Sequence, residues 1–150
     1  MNMATRTAEQ EQKPAGRVLN VLGMQIAISV TAQQTGGAYV TAETMTPPQA
    51  GPPPHTHEQE DEAFFVLEGV FDILLGERTI RLSAGEHAFG PRGVPHTFRN
   101  VGSSPARILI IISPAGFERC LEELSQLPPG PPDIAKVTAI CAKYGCKILV

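Results

Sequence analysis

Apolar and polar positions alternate with a period of two over most of this chain. Val18 to Leu22 reads as a first strand, and Gly23 marks a turn. Met24, Ile26, Ile28 and Val30 then alternate with Gln25, Ala27 and Ser29, the pattern of a strand with one buried face. Thr35-Gly36-Gly37 is a turn signal, and Ala38 to Met45 a third strand. Five prolines between Pro47 and Pro54 exclude a helix or a central strand and make a stiff connector. Further strands are predicted over Glu62–Gly69, Phe71–Leu75, Thr79–Leu82, His87–Gly90, Thr97–Val101 and Ala106–Ser113, separated by Gly- and Ser-containing turns. Roughly nine short strands joined this way predict a sandwich or barrel.

After Pro114 the period changes. Phe117, Leu121, Leu124 and Leu127 recur at helical spacing, and the run Pro128 to Pro132 ends that helix. Asp133 is placed to cap a second helix, with Ile134, Val137, Ile140 and Cys141 on one face. Gly145 ends it, and an apolar tail follows from Cys146. The fold class is therefore all-β with C-terminal helices. A flexible N-terminal arm is expected over 1–16, the β-barrel over 17–114, and a helical extension packed on the outside of the barrel over 115–150.

Composition narrows the possible partners. A chain of 150 residues fits one domain with a full core. Its formal net charge is −3 and no basic patch is visible, which excludes nucleic acid as the expected partner. The longest apolar run, Ile108 to Ile112, is too short to cross a bilayer, so no membrane association is expected. The first 17 residues contain no apolar stretch of the secretory kind. Three cysteines, an odd number without paired spacing, read as reduced thiols in a cytoplasmic protein. Val70 and Leu74 would face outward on their strand, so a covered outer face is expected, covered by a second copy in a homodimer or by the two terminal helices.

The candidate chemistry is concentrated in one stretch. All four histidines fall between residues 55 and 96. His55 and His57, two apart, would point to the same face of an extended strand. Glu62 can return beside them on the next strand, and His96 is a fourth candidate. Three imidazoles and one carboxylate suit a single divalent transition metal: Fe, Ni, Mn, Cu or Zn. Such a set leaves one or two coordination positions for water or a small-molecule substrate. If Glu62 points inward, Phe64 and Val66 do so by strand parity, and if His96 points inward, so does Phe98. With Phe71 and Ile73 these would make a mostly apolar substrate pocket. Glu58, Glu60, Asp61, Arg92 and Arg99 are candidates for an outer shell, with Glu58 and Glu60 expected in a solvated loop.

These residues resemble the two motifs of the cupin superfamily. His55, His57, Glu62 and Gly69 fit the first, whose leading glycine is absent: Gln49 stands there, and Gly51 lies two residues closer to the histidines. Gly85, Pro91, Gly93, His96 and Asn100 fit the second completely. The resemblance is nearest to the quercetin-dioxygenase-like group. It implies a cupin double-stranded β-helix (jelly-roll barrel), with His55, His57, Glu62 and His96 as metal ligands. It also implies a dioxygenase acting on an enol, phenolic or diketone substrate, with Glu62 doubling as the catalytic base. A non-oxidative isomerase, decarboxylase or lyase, or a non-catalytic ligand-binding module, remains open on the same residues.

Overall fold

The alternation is realised as two antiparallel sheets. The structure, a computed structural model, describes residues 17–149; the arm expected over 1–16 lies outside the described residues. One sheet has six strands in the order β1 (Arg17–Val21), β2 (Met24–Ile28), β3 (Val40–Thr46), β10 (Ala106–Ser113), β5 (Asp61–Glu68), β8 (His87–Gly90). The other has five, in the order β11 (Cys146–Ile148), β4 (His55–His57), β9 (His96–Asn100), β6 (Val70–Leu75), β7 (Arg78–Ser83). β1, β2 and β3 are sequential neighbours, as are β6 and β7, but the other neighbours are distant in sequence, as in a jelly roll, and this interleaving brings residues 55 and 96 side by side.

Strand parity decides what fills the space between the sheets. In β5, Glu62, Phe64 and Val66 are buried, while Phe65 and Leu67 are exposed. In β9, His96, Phe98 and Asn100 are buried. Phe64, Phe71, Ile73 and Ile108 are completely buried. Each such side chain contributes about 1.5–3 kcal/mol by leaving water. The core cannot slip by one residue, because that would turn every one of these side chains to solvent.

Two glycines are dictated by close approach. A Cβ on Gly51 would sit 1.9 Å from the carbonyl oxygen of Phe98, so the proline connector lies directly against β9. Gly69 has φ +86° and would meet the Ala106 Cβ at 2.5 Å. Asn100, fully buried, stitches the far end of β9: its amide donates to the carbonyls of Thr46 (3.0 Å) and Ser104 (2.8 Å), and its carbonyl accepts from the Gly102 N–H at 2.9 Å.

Two features differ from the sequence expectation. A one-turn helix, α1 (Ala32–Thr35), leads into the expected turn at Gly36-Gly37 and has no counterpart in the sequence expectation. Its signal is present: Thr31 and Gln34 form a reciprocal capping box. The C-terminal segment also departs from an outer coat. Helices α2 (Glu118–Leu124) and α3 (Ile134–Ala142) turn Phe117, Leu121, Leu124, Val137 and Cys141 onto a cavity that the inner faces of the sheets also line. The tail then forms β11 and pairs with β4. The segment is a cover over this end of the interior, where its apolar residues line the cavity together with those of the sheets.

Candidate metal centre

The centre is assembled from three strands. His55 and His57 come from β4, Glu62 from β5 and His96 from β9. Their ligand atoms all lie within 4.8 Å of one another, and all four side chains are buried. His55 pairs directly with His96 across β4 and β9. The three-residue strand β4 is held from several directions. Thr97 Oγ1 donates to the Pro52 carbonyl at 2.6 Å. The backbone N–H of Gly93 donates to the His57 carbonyl at 2.7 Å, and that of Leu149 to the Pro54 carbonyl at 2.8 Å.

Outer contacts set the orientation of the imidazoles. The Nδ1–H of His55 donates to the Pro53 carbonyl at 2.7 Å, and the Nδ1–H of His96 to the Val94 carbonyl at 2.9 Å. A carbonyl only accepts, so each Nδ1 carries the proton and each Nε2 is turned inward. His96 Nε2 lies 2.8 Å from Glu62 Oε2, and His57 Nε2 lies 3.3 Å from Glu62 Oε1. The third imidazole is oriented differently. His57 Nδ1 faces a carboxylate, Glu60 Oε2, at 3.4 Å, and Glu60 is 4% exposed. Both His57 nitrogens are buried without a hydrogen-bond partner, since the contacts at 3.3 and 3.4 Å are charge contacts of poor hydrogen-bond geometry. An orphaned, inward Nε2 beside two imidazoles and a carboxylate is a donor set that fits a divalent cation.

Electrostatics separate the members of the cluster. Burial drives His55 down to about 4, against the pull of Glu62, so its ring is neutral. Burial also opposes charge on His57, but Glu60 and Glu62 outweigh it and raise His57 to about 9. Burial disfavours ionised Glu62 as well. The close contacts with His57 and His96 overcome it and hold the carboxyl well below its usual range. Without an ion the centre is therefore an internal ion pair built around His57 and Glu62.

The other predicted residues fall into distinct places. Phe98 lines the cavity beside His55 and Glu62. Phe64, Val66, Phe71 and Ile73 are packed in the core, each 1% exposed or less, and are not among the cavity's lining. The cavity has about 70 Å³ of free space and is lined almost wholly by apolar side chains, including Met24, Ile110, Ile112 and Phe117. Phe117 meets the His57 ring edge to face at 4.4 Å. Its place was not legible, because nothing local ties residue 117 to residue 57. Glu60, read as solvated, is the buried partner of His57. Asp61 and Arg92 form a bidentate pair at 3.1 Å that ties β5 to the loop before His96. Glu58 is exposed, and Arg99 reaches Gln49 at 3.2 Å. His87 stacks on Phe65 at the surface, away from the centre.

Residues 42–112, which carry the cluster and both sheets' central strands, match the family described as Cupin domain. Residues 42–112 are a cupin domain. The chain is 33% identical over 116 residues to germin-like protein 1-1 of Oryza sativa subsp. japonica, covering 61% of this chain and 50% of that protein. It is 30% identical over 82 residues to polyketide synthase CurC of Streptomyces cyaneus, covering 55% of this chain and 53% of that one. Among solved structures it resembles the polyketide cyclase RemF from Streptomyces resistomycificus, with a TM-score of 0.56, 26% identity, and coverage of 67% of this chain and 75% of that one. The chain thus spans about half the length of these two curated relatives. Among its described residues, no helix is long and apolar enough to cross a membrane.

Proposed function

We propose that this protein is a metal-dependent dioxygenase acting on a small enol, phenolic or diketone substrate. The observation that carries the reading is an apolar cavity that opens onto His55 and Glu62 of a buried three-histidine, one-carboxylate cluster. His55, His57, Glu62 and His96 would hold one divalent ion. When bound, that ion supplies Lewis-acid polarisation of a substrate oxygen and access to redox chemistry. The protein residues supply the rest. Phe98, Phe117 and the β2 and β10 aliphatics exclude water and favour a flat apolar substrate. Glu62 is the only carboxylate among the four and stands at the cavity edge, so it takes the substrate hydroxyl or α-proton onto a carboxylate oxygen. His55, neutral and held by Pro53, keeps its Nε2 turned to the same point.

A second reading shares that first proton transfer and omits oxygen. Similarity to polyketide synthase CurC and to the polyketide cyclase RemF favours a non-oxidative ring closure or elimination on an enolisable polyketone. One experiment separates the two. Protein loaded in turn with iron, nickel, manganese, copper or zinc is given a flavonol or a 1,3-diketone in an oxygen electrode. Dioxygenase action consumes oxygen in step with substrate loss. Product formed equally well under nitrogen selects the second reading. Saturable binding without turnover in either atmosphere removes both.

Two broader features belong to the same proposal. A homodimer is supported by the apolar outer face of the six-stranded sheet, where Phe65 is 36%, Leu67 39% and Phe89 57% exposed. Light scattering at micromolar concentration tests it, and a monomer removes it. A cytoplasmic setting is consistent with three cysteines carried as free thiols.

A further inference from the structure

The cover over the cavity holds all three cysteines of the chain, and the metal-centre chemistry uses none of them. Cys120 lies on α2, Cys141 on α3 and Cys146 on β11, and each is at most 2% exposed. Cys120 Sγ and Cys141 Sγ stand 3.8 Å apart. A disulfide needs about 2.0 Å, so closure requires an approach of roughly 1.8 Å, within reach of side-chain rotation. The two residues sit on separate short helices joined by the proline-rich segment 125–133, so the bond would cross-link the two halves of the cover. Cys141 and Cys146 line the cavity and Cys120 does not. A small oxidant that enters the cavity therefore reaches Cys141 or Cys146 before Cys120, and of those two Cys141 is the one that stands within 3.8 Å of Cys120.

We propose that Cys120 and Cys141 form an oxidisable pair, in which a peroxide entering the cavity oxidises Cys141 and Cys120 then closes a disulfide clamping α2 to α3. The steps balance. The Cys141 thiolate attacks one oxygen of hydrogen peroxide, the O–O bond breaks, and Cys141 sulfenic acid and hydroxide form; hydroxide takes up the proton the thiol released. The Cys120 sulfur then attacks the sulfenic sulfur, the S–O bond breaks, and water leaves with the Cys120 proton. Two thiols are oxidised and one peroxide is reduced to two waters. The local electrostatics point the same way: thiols of Cys120 and Cys146 directed at Cys141 lower its pKa, and the same contact raises that of Cys120. Cys146 is the less suitable partner, since its strand is fixed by pairing with β4 opposite His57.

The test is peroxide treatment of the full chain with a metal chelator present, so that no bound ion turns over the oxidant. Thiols are then counted in denaturant, and alkylated peptides are identified by mass spectrometry. The free thiols are expected to fall from three to one, with Cys146 alkylated and the peptides of Cys120 and Cys141 joined until a dithiol releases them. Cys146→Ser should give the same cross-link. Cys120→Ser should leave Cys141 as a sulfenic acid that a dimedone probe traps. A bond between Cys141 and Cys146, oxidation without any cross-link, or three unreacted thiols in the unmutated chain would overturn the proposal.

Discussion

The metal-free centre and the metal-loaded one cannot hold the same protons, and this sets a measurable pH dependence. Binding at His57 Nε2 needs a neutral ring, yet Glu60 and Glu62 raise His57 to about 9. At pH 7 the site must therefore release one proton for each ion taken up. The cost is two pH units from the His57 value of about 9, each worth about 1.36 kcal/mol, or about 2.7 kcal/mol and roughly a hundred-fold in apparent affinity. Affinity for zinc should rise about ten-fold per unit from pH 6.5 toward 8.5 and flatten near 9. His55, driven down to about 4, adds nothing to the slope in this range. Zinc titrations in buffers of different ionisation enthalpy count the protons directly. Glu60→Gln removes one of the two carboxylates facing His57, so the flattening point should move to lower pH while the zinc stoichiometry stays at one. A flat affinity from pH 6.5 to 8.5, with no proton released, would refute the internal ion pair and the role given to Glu60.

Four other outcomes follow from the same coordinates. Linkage gives the metal-free protein a stability maximum near pH 6.5. Raised His57 stabilises the fold below 6.5 and loses that contribution as pH rises to about 9, whereas depressed His55 destabilises it as pH falls from 6.5 toward 4; a pH series of melting temperatures checks this, and a maximum above pH 8 contradicts it. His57→Ala and His96→Ala should each lose most of the metal by elemental analysis while circular dichroism retains the sheet signal, because the apolar core between the sheets remains. Asn100→Ala strands three backbone partners at the far end of β9 and should cost about 3 kcal/mol in urea unfolding; a loss under 1 kcal/mol would mean that the stitch is redundant. Phe117→Ala removes the ring against His57, should cost about 3 kcal/mol, and should admit bulkier ligands; unchanged stability would show that the cover is not packed on the centre.

The four clustered side chains were legible because their spacing is local and their chemistry specific. Two histidines two apart on a strand share a face whatever the fold, and the second motif supplied His96 with its loop. Strand parity likewise placed Glu62, Phe64 and Val66 on one face. What could not be read is what depends on contacts between distant segments. Glu60 looks like a loop carboxylate among Glu58, Asp61 and Glu62, and only the fold over it takes it out of water. Phe64, Phe71 and Ile73 share the inward face with Phe98, but depth along the barrel, which alternation does not encode, decides which of them reaches the cavity. The helices were visible in the spacing of Phe117, Leu121 and Leu124. Their destination was not, since an apolar stripe records that it is buried and not against what.

The short strand β4 meets β9 at a single register position and β11 at three. Its lasting neighbour is thus made almost ninety residues later than the histidines it braces. Synthesis runs from the N-terminus, so His55, His57 and His96 are made before the segment that finishes their sheet. Until residues 146–148 are in place, β4 with His55 and His57 is the open edge of its sheet.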